Sequence, residues 1–260
     1  MAYEYEKIED FLNPEYEQII NQIEDLKDEL QLRNTHITEI IEKDTYDNVS
    51  IEGNQMTRIE VTKLLTDDVT IRGKNIRDHL QAKNYDYMLD ILKQFIMEPC
   101  VKITPDVIKT IHNMVTQGEL PLHESGQYRN EPVSIRFTNY IPPAEWEIEG
   151  YMKELCSNLY SPLNGETMFE RICEFKRNFE RIHPFIDGNG RTGRLLMNIL
   201  FLQHGYGYVY CLAEEREEYF TSLDNNTFHK YAAKRMLMSL QSIKNKRENE
   251  QQCINEREDF

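Results

Sequence analysis

The sequence has little of several residue types that mark special classes of protein. It contains 11 glycines, 9 prolines, 5 cysteines and 1 tryptophan among 260 residues. The low glycine and proline contents exclude a collagen-like or low-complexity chain. The cysteines form no CxxC pair and no zinc-binding spacing with histidine, so we expect reduced thiols and no disulfide framework. A chain of this length can fold as one or two domains with a core of its own.

Positive charge and long apolar runs are also scarce. The 30 lysines and arginines are outnumbered by 45 aspartates and glutamates, which gives a net charge of −15. This charge repels phosphate backbones and anionic lipids, so we expect no nucleic-acid and no membrane partner. No segment reaches the roughly 18 apolar residues of a membrane helix. The first residues carry acids where a signal peptide has an apolar core, which predicts a cytoplasmic protein.

Helical periodicity dominates the rest of the chain. Apolar residues recur at helical spacing over residues 14–43 and 75–97, and Thr104 and Pro105 form a typical helix start. The charged residues that follow Lys244 predict a solvated tail. Further helices are predicted over residues 145–160, 168–182, 191–204 and 215–245.

The segment between Gly126 and Pro143 does not follow this helical periodicity. Apolar and polar residues alternate there, and prolines at both ends disfavour a helix. We therefore predict a short β-hairpin with an exposed edge. The alternating residues are Val133, Ser134, Ile135, Arg136 and Phe137.

The most informative segment is a glycine-rich loop, His183-Pro-Phe-Ile-Asp-Gly-Asn-Gly-Arg-Thr-Gly-Arg194, between two predicted helices. Its GxGxxG spacing does not indicate a dinucleotide fold, because a helix precedes it where a buried strand is required. Asn198 stands where a calcium loop needs an acidic ligand, and no Gly-Lys-Ser/Thr of a P-loop is present. The loop instead predicts an anion site at a helix N-terminus, where backbone N–H groups converge.

Four side chains of this loop suit phosphate chemistry. Arg191 and Arg194 lie three residues apart, and their guanidinium groups match phosphate oxygens. Asp187 is the one acid of the loop and offers Mg²⁺ a carboxylate ligand beside substrate phosphates. His183 is the proton acceptor able to work near neutral pH. Phe185 is interpreted as a core anchor of the loop.

The loop resembles the signature of the Fic family, His-x-Phe-x-Asp/Glu-Gly-Asn-Gly-Arg-x-x-Arg, at every fixed position. The resemblance implies an all-α, Fic-type helical core with a short β-hairpin flap, preceded by an N-terminal helical segment. We expect a helical region over residues 1–100, the catalytic core over residues 101–245 and a charged tail over residues 246–260.

The resemblance also implies the reaction, which is transfer of AMP from ATP to a hydroxyl of a protein side chain. His183 would take the proton of the target Tyr, Thr or Ser, and Asp187 would hold Mg²⁺. The flap residues Val133, Ser134 and Ile135 would dock the target by strand addition. The nucleotide would contact Gly188, Asn189, Gly190, Arg191, Arg194 and, near the adenine, Tyr219.

A second resemblance lies upstream, at Glu52-Gly53-Asn54. It is similar to the family's inhibitory helix, Ser/Thr-x-x-x-Glu-Gly/Asn, in which the glutamate pairs with the second arginine of the loop. Asn48 replaces the Ser/Thr of that pattern. The resemblance implies that Glu52 and Gly53 inhibit the enzyme by blocking the γ-phosphate position at Arg194.

Several alternatives stay open at this point. The same scaffold could use another phosphate-bearing donor, such as UTP or CDP-choline, or remove AMP from a modified target. It could also hold ATP as a regulatory module without turnover, although an intact His183 favours an enzyme. Homodimerisation stays open as well, and Glu52 could simply end a helix before Gly53.

Overall fold

The computed structural model describes residues 5, 7, 8, 13–31, 44–97, 101–136 and 138–258. Short 3₁₀ turns at Glu145–Glu147 and Ala213–Glu215 precede two of the helices. The α-helices of the described residues are α1 (Pro14–Leu30), α2 (Asp44–Ile51), α3 (Arg58–Thr66), α4 (Ile76–Met97), α5 (Pro105–Val115), α6 (Ile148–Leu159), α7 (Met168–Ile182), α8 (Asn189–Gln203), α9 (Arg216–Asp224) and α10 (Phe228–Glu258).

The helix starts follow from local sequence. The Asn13 side chain accepts hydrogen bonds from the first turn of α1, and Thr104 caps α5 in the same way. Thr167 and Glu170 form a reciprocal capping box at the start of α7. These side chains satisfy backbone N–H groups that have no acceptor within the helix, which fixes where each helix begins.

Helix α8 lies at the centre of the fold. It packs against α4, α5 and α7, and nearly all of its residues are buried. A helix that is apolar around most of its circumference belongs inside a protein. Because α8 begins at Asn189, within the glycine-rich segment, the core holds its N-terminus in place.

The N-terminal and C-terminal helices pack against each other. Helix α1 lies along α10, which runs through residues 245 and 246 without a break. The helical pattern predicted over residues 14–43 accounts for α1, and its remainder at residues 32–43 lies outside the described residues. No helix of the described ranges is both long and apolar enough to cross a membrane.

The predicted β-hairpin is not found. Among residues 126–136 and 138–143 none belongs to a strand, and Phe137 lies outside the described residues. The Arg129 guanidinium donates to the carbonyl oxygens of Glu131 at 3.0 Å and Pro143 at 2.6 Å, so a side chain closes this loop. Three prolines within it, Pro132, Pro142 and Pro143, have no N–H for a strand ladder.

Candidate active site

The glycine-rich loop joins α7 to α8 at the floor of a cleft of about 650 Å³. The predicted site residues of the loop line this cleft together with Glu52, Gly53, Tyr219 and the segment from Val133 to Ile135. Ser134 is exposed, and Val133 and Ile135 are half-buried. The structure thus brings together residues that are up to 167 positions apart in sequence, from Glu52 to Tyr219.

Hydrogen bonds within the loop fix its shape. The Asn189 side chain accepts from the Phe185 N–H at 3.0 Å and donates to the Phe185 carbonyl at 2.8 Å. Gly188 has a φ of +78°, and a Cβ there would lie 2.6 Å from Thr116. The loop therefore requires glycine at this position, and its Asn189 side chain is used for internal bonding.

His183 follows α7 with a left-handed φ of 48°. Its Nδ1 lies 3.2 Å from the carbonyl oxygen of Glu180, and its own carbonyl accepts from Arg129 at 2.8 Å. Because a carbonyl can only accept, Nδ1 carries the proton and Nε2 keeps its lone pair. Burial lowers the pKa of His183 below its usual value, although the nearby Glu180 opposes this effect. The imidazole is thus neutral near pH 7, as a general base must be.

Arg194 is buried in the second turn of α8, and all three nitrogens of its guanidinium group donate hydrogen bonds. Its Nη1 donates to Glu52 at 2.8 Å. Asn48 accepts from the Arg194 Nε at 2.5 Å through its side chain and from Nη2 at 2.9 Å through its carbonyl. The Tyr219 hydroxyl accepts from Nη1 at 3.4 Å. Tyr219 is fully buried, and through this contact it lies beside Arg194 in the lining of the cleft.

Glu52 also covers the start of α8. A Cβ built on Gly190 would collide with the Glu52 carboxylate. The carboxylate thus lies over the first turn of the helix, where N–H groups without a helical acceptor attract anions. Gly53 follows with a φ of +96°, which turns the chain after Glu52.

Helix α2 carries Asn48 and is anchored through a buried carboxylate. Asp44 accepts hydrogen bonds from the hydroxyls of Tyr85, at 3.0 Å, and Tyr208, and from the Asn48 side chain. Burial raises the pKa of Asp44 to about 7. At the other end of α2, the Arg216 Nε donates to the Ile51 carbonyl at 2.6 Å. These contacts fix the helix that positions Glu52.

Arg191 has a different partner from the one that the sequence analysis gave it. Its Nη1 and Nη2 donate to the two carboxylate oxygens of Glu119 at 2.6 and 2.9 Å, and both side chains are buried. Charge-assisted bidentate pairs of this kind are strong and directional. The predicted contact of Arg191 with phosphate stays a prediction, because this guanidinium already has a carboxylate partner.

Asp187 offers the carboxylate that was predicted to hold Mg²⁺. Its Oδ1 accepts from the Gly188 N–H at 2.6 Å, and its Oδ2 accepts from Arg77. Burial would raise the pKa of Asp187, but the Gly188 N–H and the charges of Arg77 and Arg191 hold it below the usual value. The described residues include no group of three acidic, His or Cys side chains for a metal ion. One ionised carboxylate fits Mg²⁺ that is shared with substrate phosphates.

A histidine that positions the loop, His112, was missed by the sequence analysis. His112 accepts from the Gly126 N–H at 2.9 Å and meets the Asp187 carbonyl at 2.8 Å, so its Nε2 carries the proton. Burial lowers the pKa of His112 to about 4, which keeps it neutral. Its ring stacks on Phe185 at 3.7 Å. No local pattern marks this residue, because its partners are distant in sequence.

The fold and loop together define a helical domain in which a glycine-rich helix N-terminus and a histidine line one cleft. The Fic/DOC family matches residues 102–201, which include the whole loop. The chain belongs to the Fic/DOC family.

Relatives of known sequence support this assignment. The chain is 31% identical over 182 residues to the protein adenylyltransferase Fic of Nematostella vectensis, covering 69% of this chain and 42% of that protein. It is 29% identical over 242 residues to the protein adenylyltransferase fic-1 of Caenorhabditis elegans, covering 86% of this chain and 46% of that protein. The chain thus spans less than half the length of these curated relatives.

Solved structures agree on the fold. A Fic-1 fragment from C. elegans matches with a TM-score of 0.78 and 25% identity, covering 90% of this chain and 73% of the fragment. A Fic-domain signalling protein from Bacteroides thetaiotaomicron matches with a TM-score of 0.74 and 21% identity, covering 88% of this chain and 94% of that protein. The second likeness supports the fold alone.

Proposed function

We propose that this protein transfers AMP from ATP to a hydroxyl side chain of a target protein, and that Glu52 inhibits the transfer. The observation that carries the proposal is the pairing of a neutral His183 with an anion site whose arginine, Arg194, is held by a removable carboxylate. The adenylyltransferase names of the relatives agree with it.

The chemistry assigned to the loop is mainly positioning and charge neutralisation. His183 Nε2 accepts the proton of the attacking hydroxyl while oxygen bonds to the α-phosphorus and pyrophosphate leaves. The first N–H groups of α8, at Asn189 and Gly190, bind phosphate oxygens. Bound Mg²⁺ at Asp187 would neutralise phosphate charge. Once Glu52 moves away, Arg194 binds the γ-phosphate.

The target is proposed to lie along the loop segment from Val133 to Ile135, which lines the same cleft as His183. The described residues of this segment pair with no strand of the chain. Their backbone groups can therefore add a target segment by main-chain hydrogen bonding. This mode reads the backbone, so Tyr, Thr and Ser targets all fit the proposal.

Isotope labelling tests the reaction. The Glu52→Gly protein is incubated with ATP labelled on either the α- or the γ-phosphate, and label on protein is measured. We expect the α-label to be retained and the γ-label to be lost. His183→Ala in the same background should abolish labelling while ATP affinity changes by less than about tenfold, because a neutral imidazole adds no charge. Retained γ-label would indicate kinase chemistry and contradict the proposal.

A second candidate function is removal of AMP from a modified target. Glu52 and His183 line one cleft, so a carboxylate is available there to orient a water molecule. Incubating wild-type protein with an AMP-modified target, and Glu52→Gln beside it, tests this candidate. Release of AMP by wild type but not by Glu52→Gln would support this candidate function.

A further inference from the structure

An arginine outside the glycine-rich loop contacts the proposed metal ligand. Arg77 lies in the first turn of α4 and lines the cleft. Its Nη2 donates to the Oδ2 atom of Asp187, 110 positions away, and its Nε lies 4.0 Å from the buried Glu119. Glu119 also binds Arg191, so the four side chains form a chain of alternating charges.

This contact uses the second oxygen of the carboxylate. The first oxygen of Asp187 already accepts the Gly188 N–H. The described residues include no group of three acidic, His or Cys side chains for a metal ion, and Asp187 is the one carboxylate of the glycine-rich loop. A guanidinium and a divalent cation at the same carboxylate oxygen repel each other, so the presence of one weakens the binding of the other.

We propose that Arg77 occupies Oδ2 of Asp187 in the nucleotide-free protein and must leave this oxygen before Mg²⁺ can bind with ATP. The inference rests on the proposed function, which supplies the nucleotide. Arg77 is 53% exposed, so its side chain can move without leaving a buried void. Glu119, which lies nearby and is bonded to Arg191, attracts the displaced guanidinium.

The two parts of a metal–nucleotide complex thus each have a counterpart within the protein. The Glu52 carboxylate lies where an anion would bind at the start of α8. The Arg77 guanidinium lies where a cation would bind at Asp187. The two contacts come from separate segments of the chain and can be removed independently.

Calorimetry with a non-hydrolysable nucleotide tests the role of Arg77. Protein with Glu52→Gly is titrated with α,β-methylene-ATP in excess Mg²⁺ and again in EDTA. The dissociation constant in EDTA divided by the dissociation constant in Mg²⁺ measures how much the metal increases the affinity for the nucleotide. Arg77→Gln should increase this ratio by about threefold or more, because the metal no longer displaces a cation. Binding in EDTA should change by less than about twofold.

Arg72→Gln provides the matched control. Arg72 is exposed on the segment before α4 and does not line the cleft, so its loss removes the same charge away from Asp187. The control should leave the ratio unchanged. An unchanged or smaller ratio in Arg77→Gln would overturn the inference, as would weaker binding in EDTA, which would make Arg77 a phosphate ligand. Labelling by Glu52→Gly reports separately on the proposed function.

Discussion

Arg191 and Arg194 lie three residues apart on α8, yet their surroundings differ. Each is 1% exposed and each pairs with one glutamate. The Glu119 side chain that binds Arg191 is 1% exposed, whereas the Glu52 side chain that binds Arg194 is 29% exposed at the cleft. A fully buried pair acts as part of the core, but a partner that reaches solvent can be exchanged for a ligand. The comparison favours Arg194 over Arg191 as the arginine whose partner a proposed nucleotide could replace.

The strongest test of this difference is a stability measurement. Glu119→Ala should lower the free energy of unfolding by about 3–5 kcal/mol, because it leaves the buried Arg191 charge without a carboxylate. Glu52→Ala should change it by about 1 kcal/mol or less, because Arg194 keeps its two bonds to Asn48. Urea unfolding measures both. Equal losses in the two variants would contradict the distinction.

Removing the Glu52 carboxylate should have a large effect on activity, although we expect it to have a small effect on stability. Glu52→Gly should raise transfer of the α-label by about tenfold or more, since Arg194 then becomes available to ATP. Arg194→Ala should remain inactive, and the double variant should match it, because removing Glu52 cannot help once the arginine is absent. A transfer rate within about twofold of wild type for a folded Glu52→Gly protein would show that Glu52 only ends a helix segment.

The sequence predicts the pair of Arg194 and Glu52 better than the pair of Arg191 and Glu119. The loop residues from His183 to Arg194 are contiguous, so one motif identifies them. The Glu52 position followed from family resemblance, which also implied its contact with Arg194. Glu119, which lies 72 positions from Arg191, was missed because no local spacing encodes a long-range pair. The fold shows the same limit, since periodicity predicts helices but not how Arg129 closes a proline-rich loop without strands.

The anchor of α2 gives a pH-dependent test. Burial raises the pKa of Asp44 to about 7 from 3.8. A carboxyl group with a raised folded-state pKa stabilises the protein most below its unfolded pKa, and this contribution is lost as pH rises towards 7. Between pH 4 and 7, the stability of wild type relative to Asp44→Asn should therefore fall by about 1 kcal/mol or more. If the difference in free energy of unfolding between wild type and Asp44→Asn is the same at both pH values, Asp44 is not a buried, protonated group.

The smallest expected effect concerns the field of Glu52 at His183. The negative charge of Glu52 raises the pKa of His183 and so partly offsets the lowering by burial. Glu52→Gln removes this charge with little change in shape, and the His183 pKa should fall, as measured by NMR titration of the imidazole. Glu60→Gln, a change at a half-buried glutamate of α3 outside the cleft, should leave it unchanged. A His183 pKa that stays the same in Glu52→Gln would mean that Glu52 acts on Arg194 alone. A lower pKa would show that one side chain both occupies the anion site and holds the base closer to its protonated form, so that its departure would favour nucleotide binding and proton acceptance together.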